Sequence, residues 1–96
     1  MIELYQAEWC PYSSRVRQRL TELGVSFIAR QVPAEAADRE ELRRKTGSDE
    51  IPVLIDDGMV VGGNADALVA YLDRIYSERA DAEQHRQQAE LHDRAA

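Results

Sequence analysis

Apolar and polar positions change period several times along the chain, and each change marks an element. Over residues 2–6, Ile-Glu-Leu-Tyr-Gln, bulky apolar side chains alternate with polar ones, which predicts a strand. Val16, Leu20 and Leu23 then recur at i, i+4 and i+7, predicting a helix with one apolar face that Gly24 stops. Residues 25–32 predict a second strand, ended by Pro33. A strand, a helix and a strand at this spacing predict parallel pairing with a right-handed crossover. Residues 34–46 predict a helix with Glu35, Asp38, Glu40 and Glu41 early and Arg43, Arg44 and Lys45 late, the order that the helix dipole favours. Its apolar face is thin, Ala37 and Leu42, so it is expected to pack less firmly than the first helix. Ile51–Ile55 predicts a strand opened by Pro52, Asp56-Asp57-Gly58 a turn, and residues 59–61 an antiparallel return strand. Asn64 is a candidate N-cap for a helix carrying Leu68, Val69, Leu72, Ile75 and Tyr76 as one stripe.

The resulting order, β-α-β-α-β-β-α, is that of the α/β thioredoxin-like fold, a four-stranded mixed sheet with helices on both faces. Ninety-six residues, 44% hydrophobic and 31% charged, suit one globular domain. Residues 1–79 are expected to form it. Residues 80–96 are expected to be a polar helical extension, continuing the last helix in solvent and fraying for want of apolar surface. A net charge of −6 argues against nucleic acid and anionic lipid as partners. No apolar run approaches the roughly 18 residues that a membrane span needs. The sequence starts directly into a strand, so a cytoplasmic protein is expected. His85 and His92 could share a helix face, but no third ligand lies nearby in sequence, and no metal is expected.

The candidate chemistry lies in Trp9-Cys10-Pro11-Tyr12-Ser13, between the first strand and the first helix. Cys10 is the only cysteine, which excludes an intramolecular disulfide and fits a reducing compartment. Pro11 suits the first helical position, where a missing N–H costs nothing. Cys10 then faces free backbone N–H groups and the positive end of the helix dipole, which favour thiolate, the nucleophilic form. A lone cysteine is often only a small buried hydrophobe. The turn position beside a proline, off any periodic apolar face, argues for reactivity instead.

These five residues resemble the Cys-Pro-Tyr-Cys active site of glutaredoxins, with Ser13 in place of the second cysteine. Two more stretches carry the resemblance, which covers about residues 1–76. Glu50-Ile51-Pro52 is similar to the family's Thr-Val-Pro, where the bond before proline is cis and the preceding residue offers backbone hydrogen bonds to glutathione. From the residues alone, a proline that starts an edge strand fits equally well. Gly62-Gly63-Asn64-Ala65-Asp66 is similar to the family's Gly-Gly-Cys-Asp-Asp, whose glycines and helix start hold the γ-glutamyl end. Arg39 matches a family position that reaches the glycine carboxylate; a solvated charge on a charged helix fits it equally.

The resemblance implies a monothiol-type glutaredoxin with Cys10 catalytic and Tyr12, Arg39, Ile51, Pro52, Gly63, Asn64 and Ala65 binding glutathione as co-substrate. It implies reduction of glutathionylated protein or small-molecule disulfides, by a monomer, without a second cysteine. Three departures bear on this. Ala7 replaces the usual lysine near the cysteine, Ala65 replaces the acid that accepts the γ-glutamyl ammonium, and Ser13 rules out an internal disulfide. Another low-molecular-weight thiol therefore also fits. Two alternatives are a carrier of a glutathione-ligated [2Fe–2S] cluster, and a glutathione-binding module resembling the N-terminal domain of glutathione transferases.

Overall fold

Strand β1 (Ile2–Gln6) is buried on both faces, Ile2 and Leu4 on one and Tyr5 on the other. The computed structural model describes residues 1–95; Ala96, the last residue of the expected extension, lies outside them. β1 pairs in parallel with β2 (Phe27–Gln31) on one side and antiparallel with β3 (Val53–Asp56) on the other, and β4 (Met59–Val61) completes the sheet in the order β2-β1-β3-β4. This is the mixed four-stranded sheet of the thioredoxin-like fold. Asp57 and Gly58, both at positive φ, form the two-residue turn of the β3–β4 hairpin.

One face of the sheet is packed heavily and the other lightly. Ile2, Leu4 and Leu54 meet Val16 and Leu20 of α1 (Pro11–Glu22), its C-cap Leu23, and Leu68 and Leu72 of α3 (Ala65–Ile75) in one cluster. Each fully buried leucine there stabilises the fold by about 1.5–3 kcal/mol. The opposite face holds Tyr5, Val53 and Ile55 under Leu42 of α2 (Glu40–Thr46), with Val32 and Ile51 partly buried against them. The thin apolar face read in the sequence thus becomes a helix anchored by one leucine.

Three expected boundaries shift. The helix foreseen over residues 34–46 breaks into a 3-10 turn at Ala36–Asp38 and then α2, because Arg39 takes a non-helical backbone (φ −88°, ψ 54°). Its side chain binds the carbonyls of Pro33, Ala34 and Asp49, and that of Arg43 binds those of Ala36 and Ala37. β3 begins at Val53 rather than Ile51, since Pro52 has no N–H for the ladder; the Ile51–Pro52 bond is cis. β2 begins two residues late because Val25 N–H is held by the Leu20 carbonyl.

The C-terminal segment departs furthest from expectation. α3 ends at Ile75, Tyr76 is extended, and a separate helix α4 (Ala82–Ala95) folds back along α1 rather than continuing α3. Polar contacts hold it. Arg79 N–H donates to the Glu22 carbonyl at 2.9 Å, and Arg86 Nε donates at 2.9 Å to the Glu22 carboxylate, which Arg19 also holds. Ala82 is the apolar side chain of α4 that becomes buried. Attachment by ion pairs and one methyl group is weak beside the leucine core. Removing residues 80–96 is therefore expected to lower the melting temperature less than Leu72→Ala does, a substitution that costs about 2–5 kcal/mol. Thermal denaturation of the two variants checks this, and an equal or larger loss on truncation would make α4 part of the core.

Candidate active site

The start of α1 is fixed by the peptide unit of Ala7, at the end of β1. Ala7 N–H donates to Ser13 Oγ at 3.4 Å, while the Ala7 carbonyl accepts from Cys10 N–H at 3.2 Å and from Arg17 Nη1 at 3.3 Å. Ser13 is fully buried and Ala7 nearly so. The turn at Glu8 and Trp9 is thereby closed from both sides, and Cys10 becomes the N-cap of α1 with Pro11 next. Trp9 and Tyr12 stand exposed on either side of the cysteine, at 66% and 64%.

Cys10 itself is 6% exposed. Burial pushes its pKa up. The Ser13 hydroxyl, the backbone N–H groups of Ser13 and Tyr12 and the charge of Arg17 outweigh that, and the thiol ends below its ordinary value. The Ser13 hydroxyl is the strongest favourable contribution, ahead of the backbone N–H groups at the helix start.

Arg17 escaped the sequence reading. It sits seven residues beyond Cys10, two turns along α1, and that spacing was the available signal. Its guanidinium binds the Gln6 side chain, the Ala7 carbonyl and the Glu8 carboxylate at 3.3 Å. It gives the thiol the cationic help that Ala7 cannot.

Of the expected binding residues, Tyr12, Ile51, Pro52, Gly63, Asn64 and Ala65 line one groove of about 350 Å³. Gly63 must be glycine, because its φ is +111° and a Cβ there would come within 2.7 Å of the Ala67 Cβ. Asn64 caps α3 by accepting from Ala67 N–H at 3.0 Å. Glu50 and Gly62, which belong to the two quoted motifs, also line it, and Thr46, Ser48, Val53 and Val60, not assigned from sequence, complete the wall. Arg39 is a correction. It is 7% exposed, lies outside the groove and spends its donors on the three carbonyls that fix the 3-10 turn. Among the described residues no cluster of three or more His, Cys, Asp or Glu is placed to hold a metal ion, and no helix is long and apolar enough to cross a membrane.

A single thiol at the helix start of a thioredoxin-like sheet, two residues before the groove-lining Tyr12, defines a thiol-redox class of protein. The comparisons make it particular. The sequence matches the family model for glutaredoxin over residues 2–61, and the chain belongs to the glutaredoxin family. It is 36% identical over 62 residues to glutaredoxin 3 of Escherichia coli, covering 65% of this chain and 75% of that one. It is 29% identical over 65 residues to an uncharacterized glutaredoxin-like 8.6 kDa protein of Clostridium pasteurianum, covering 67% and 87%. Among solved structures, a diazinon-metabolizing glutathione S-transferase of the silkworm Bombyx mori superposes with TM-score 0.70 at 29% identity, over 79% of this chain and 38% of that one. A rice glutathione transferase solved with glutathione gives TM-score 0.70 at 24% identity, over 94% and 44%. The chain spans about four-tenths of the length of these transferases. Family membership supports a glutathione-dependent redox role.

The lowered thiol pKa has two measurable consequences. The pH profile of Cys10 alkylation is expected to have its midpoint below the roughly 8.5 of a free thiol. Arg17→Met and Ser13→Ala should each move it up, while an unmoved midpoint in both would remove these groups from the account. An acid with a depressed folded-state pKa stabilises the fold above its unfolded value, and loses that contribution as pH falls through the folded value. The melting-temperature advantage over Cys10→Ser should therefore grow as pH rises through that window.

Proposed function

We propose that this chain is a monothiol-type glutaredoxin that reduces glutathione mixed disulfides at Cys10. The observation that carries the reading is the environment of the sulfur, a near-buried thiol held toward thiolate by Ser13 and Arg17 where dithiol members place a second cysteine. The Cys10 thiolate attacks the glutathionyl sulfur of the mixed disulfide. The old S–S bond breaks, the partner thiolate leaves and takes up a proton, and Cys10 is left glutathionylated. A second thiolate, from free glutathione, attacks that adduct and restores Cys10, giving glutathione disulfide. Neither step calls for a second protein thiol. Ser13, fully buried and engaged with Ala7, serves as a hydrogen-bonding group.

In this reading Tyr12, Ile51, Pro52, Gly63, Asn64 and Ala65 hold the glutathionyl part along the groove. The binding of glutathione by a rice transferase of the same fold supports the choice of ligand class. A reducing, cytoplasmic setting and a monomer fit it. The second reading, a glutathione-binding module, draws on the likeness to transferase structures, but these are more than twice as long.

Steady-state reduction of a glutathione mixed disulfide, coupled to glutathione reductase, tests the proposal. Cys10→Ser is expected to abolish turnover with the fold intact, because a serine hydroxyl does not ionise near neutral pH. Turnover retained in that variant would overturn the mechanism, and binding without turnover in the wild type would favour the module. Ser13→Cys should form an internal disulfide seen as a loss of two hydrogens in the mass of the oxidised protein. Persistent glutathionylation at Cys10 with the new thiol free would show that the two positions do not meet.

A further inference from the structure

Gln6 ends β1 in the row that Ile2 and Leu4 begin, since alternate residues of a strand share a face, and it is fully buried. A buried amide where an apolar side chain would pack needs partners for its oxygen and its nitrogen. Its oxygen accepts from Arg17 Nη1, and its nitrogen donates at 3.0 Å to Oε1 of Gln31, its neighbour in register on β2. A guanidinium has donors and no acceptor, so it can meet Gln6 only at the oxygen, and the amide NH2 is left for Gln31. The side chains form a one-way relay, from Arg17 through Gln6 to the edge strand.

The relay ends at the turn that carries the nucleophile. Arg17 Nη1 also donates at 3.3 Å to the Ala7 carbonyl, the same oxygen that accepts Cys10 N–H at 3.2 Å. Its other partners are the Glu8 carbonyl, at 3.5 Å, and the exposed Glu8 carboxylate, at 3.3 Å. Without the amide, the guanidinium keeps only these contacts, and the Glu8 carboxylate draws it toward solvent. The other ionisable groups around the start of α1 are placed differently. Arg15 is paired with Asp66 of α3, Tyr12 and Glu50 line the groove, and Arg44 and Lys45 belong to α2 on the opposite face of the sheet. Arg17 is the foremost charge acting on Cys10.

We propose that Gln6, itself fixed by Gln31, is a positioning residue for the reaction at Cys10: it holds the Arg17 guanidinium at the cysteine's turn, and so sets how much of the thiol is ready to attack at neutral pH. The proposal takes its reaction from the mixed-disulfide reading above and adds the residue that tunes it. Gln6 has no charge of its own. Its influence on the titration of Cys10 therefore passes through the placement of Arg17.

The test is the pH profile of Cys10 alkylation by iodoacetamide, a neutral reagent, followed by intact mass, with thermal melting of each variant alongside. Gln6→Met keeps the length of the side chain and removes both hydrogen bonds. It should raise the midpoint by roughly 0.3–1 pH unit, a fraction of what a directly adjacent opposite charge supplies. Gln31→Leu, at an exposed position of β2, should raise it by less and leave the fold intact. On the Arg17→Met background neither substitution should move the midpoint further. In steady-state reduction of a glutathione mixed disulfide, Gln6→Met should lower kcat/KM below the midpoint in proportion to the lost thiolate. Well above the midpoint the loss should vanish or reverse, because the more basic thiolate is the stronger nucleophile. An unmoved midpoint in either variant, a rate loss equal at every pH, or a shift that persists in full without Arg17 would overturn the assignment. Absence of turnover in the wild type would overturn the mixed-disulfide reading, while the alkylation profile still decides the role of Gln6.

Discussion

The site depends on one peptide unit. The N–H and carbonyl of Ala7 are both buried, and together they hold Ser13 Oγ, Cys10 N–H and the Arg17 guanidinium. Leaving either group unmatched would cost about 1–3 kcal/mol for a buried donor or acceptor, so the three partners are fixed together. Serine at position 13 therefore does more than lack a thiol. Its hydroxyl accepts from the turn on one side and faces the cysteine sulfur on the other, and a group that elsewhere in the family reacts here becomes the brace of the loop.

The unequal faces of the sheet explain where an adaptable groove can exist. α1 and α3 are locked over Ile2, Leu4 and Leu54 by a continuous apolar cluster, so Cys10 and the Asn64 cap are carried on the stable side. The opposite wall, residues 46–52, follows α2, which Leu42 alone anchors in the smaller cluster. Local opening is least costly where few apolar contacts must break. One wall of the groove is thus rigid and the other is supported by a single leucine and by arginine–carbonyl bonds.

How much of this was legible in the sequence follows from the kind of signal each part gives. Elements that bury a periodic apolar face, α1 with Val16 and Leu20 and α3 with Leu68 and Leu72, were plain, as were the Asn64 cap and the Asp57-Gly58 turn. Residues 34–46 misled because charge order and helix propensity are continuous through Arg39, while the break there comes from backbone carbonyls captured by a side chain, which no periodicity reports. Residues 77–95 misled because a polar segment was read as lacking a surface to pack on. The surface it uses includes the largely buried carboxylate of Glu22, a residue to which the sequence reading gave no role. Within the site, backbone-defined positions such as Pro52 and Gly63 lie in the groove as the motif implied, whereas the long side chain of Arg39 does not.

That last contrast has a physical cause. A proline or glycine acts through the path of the main chain, which the fold fixes once the element order is set. A guanidinium carries five donors on a flexible stem, and it goes wherever several acceptors converge. In this chain carbonyls converge at the 3-10 turn for Arg39 and at the end of β1 for Arg17, while carboxylates converge between α1 and α4 for Arg19 and Arg86. Arginine here works chiefly as a cross-link between segments whose apolar contacts are thin.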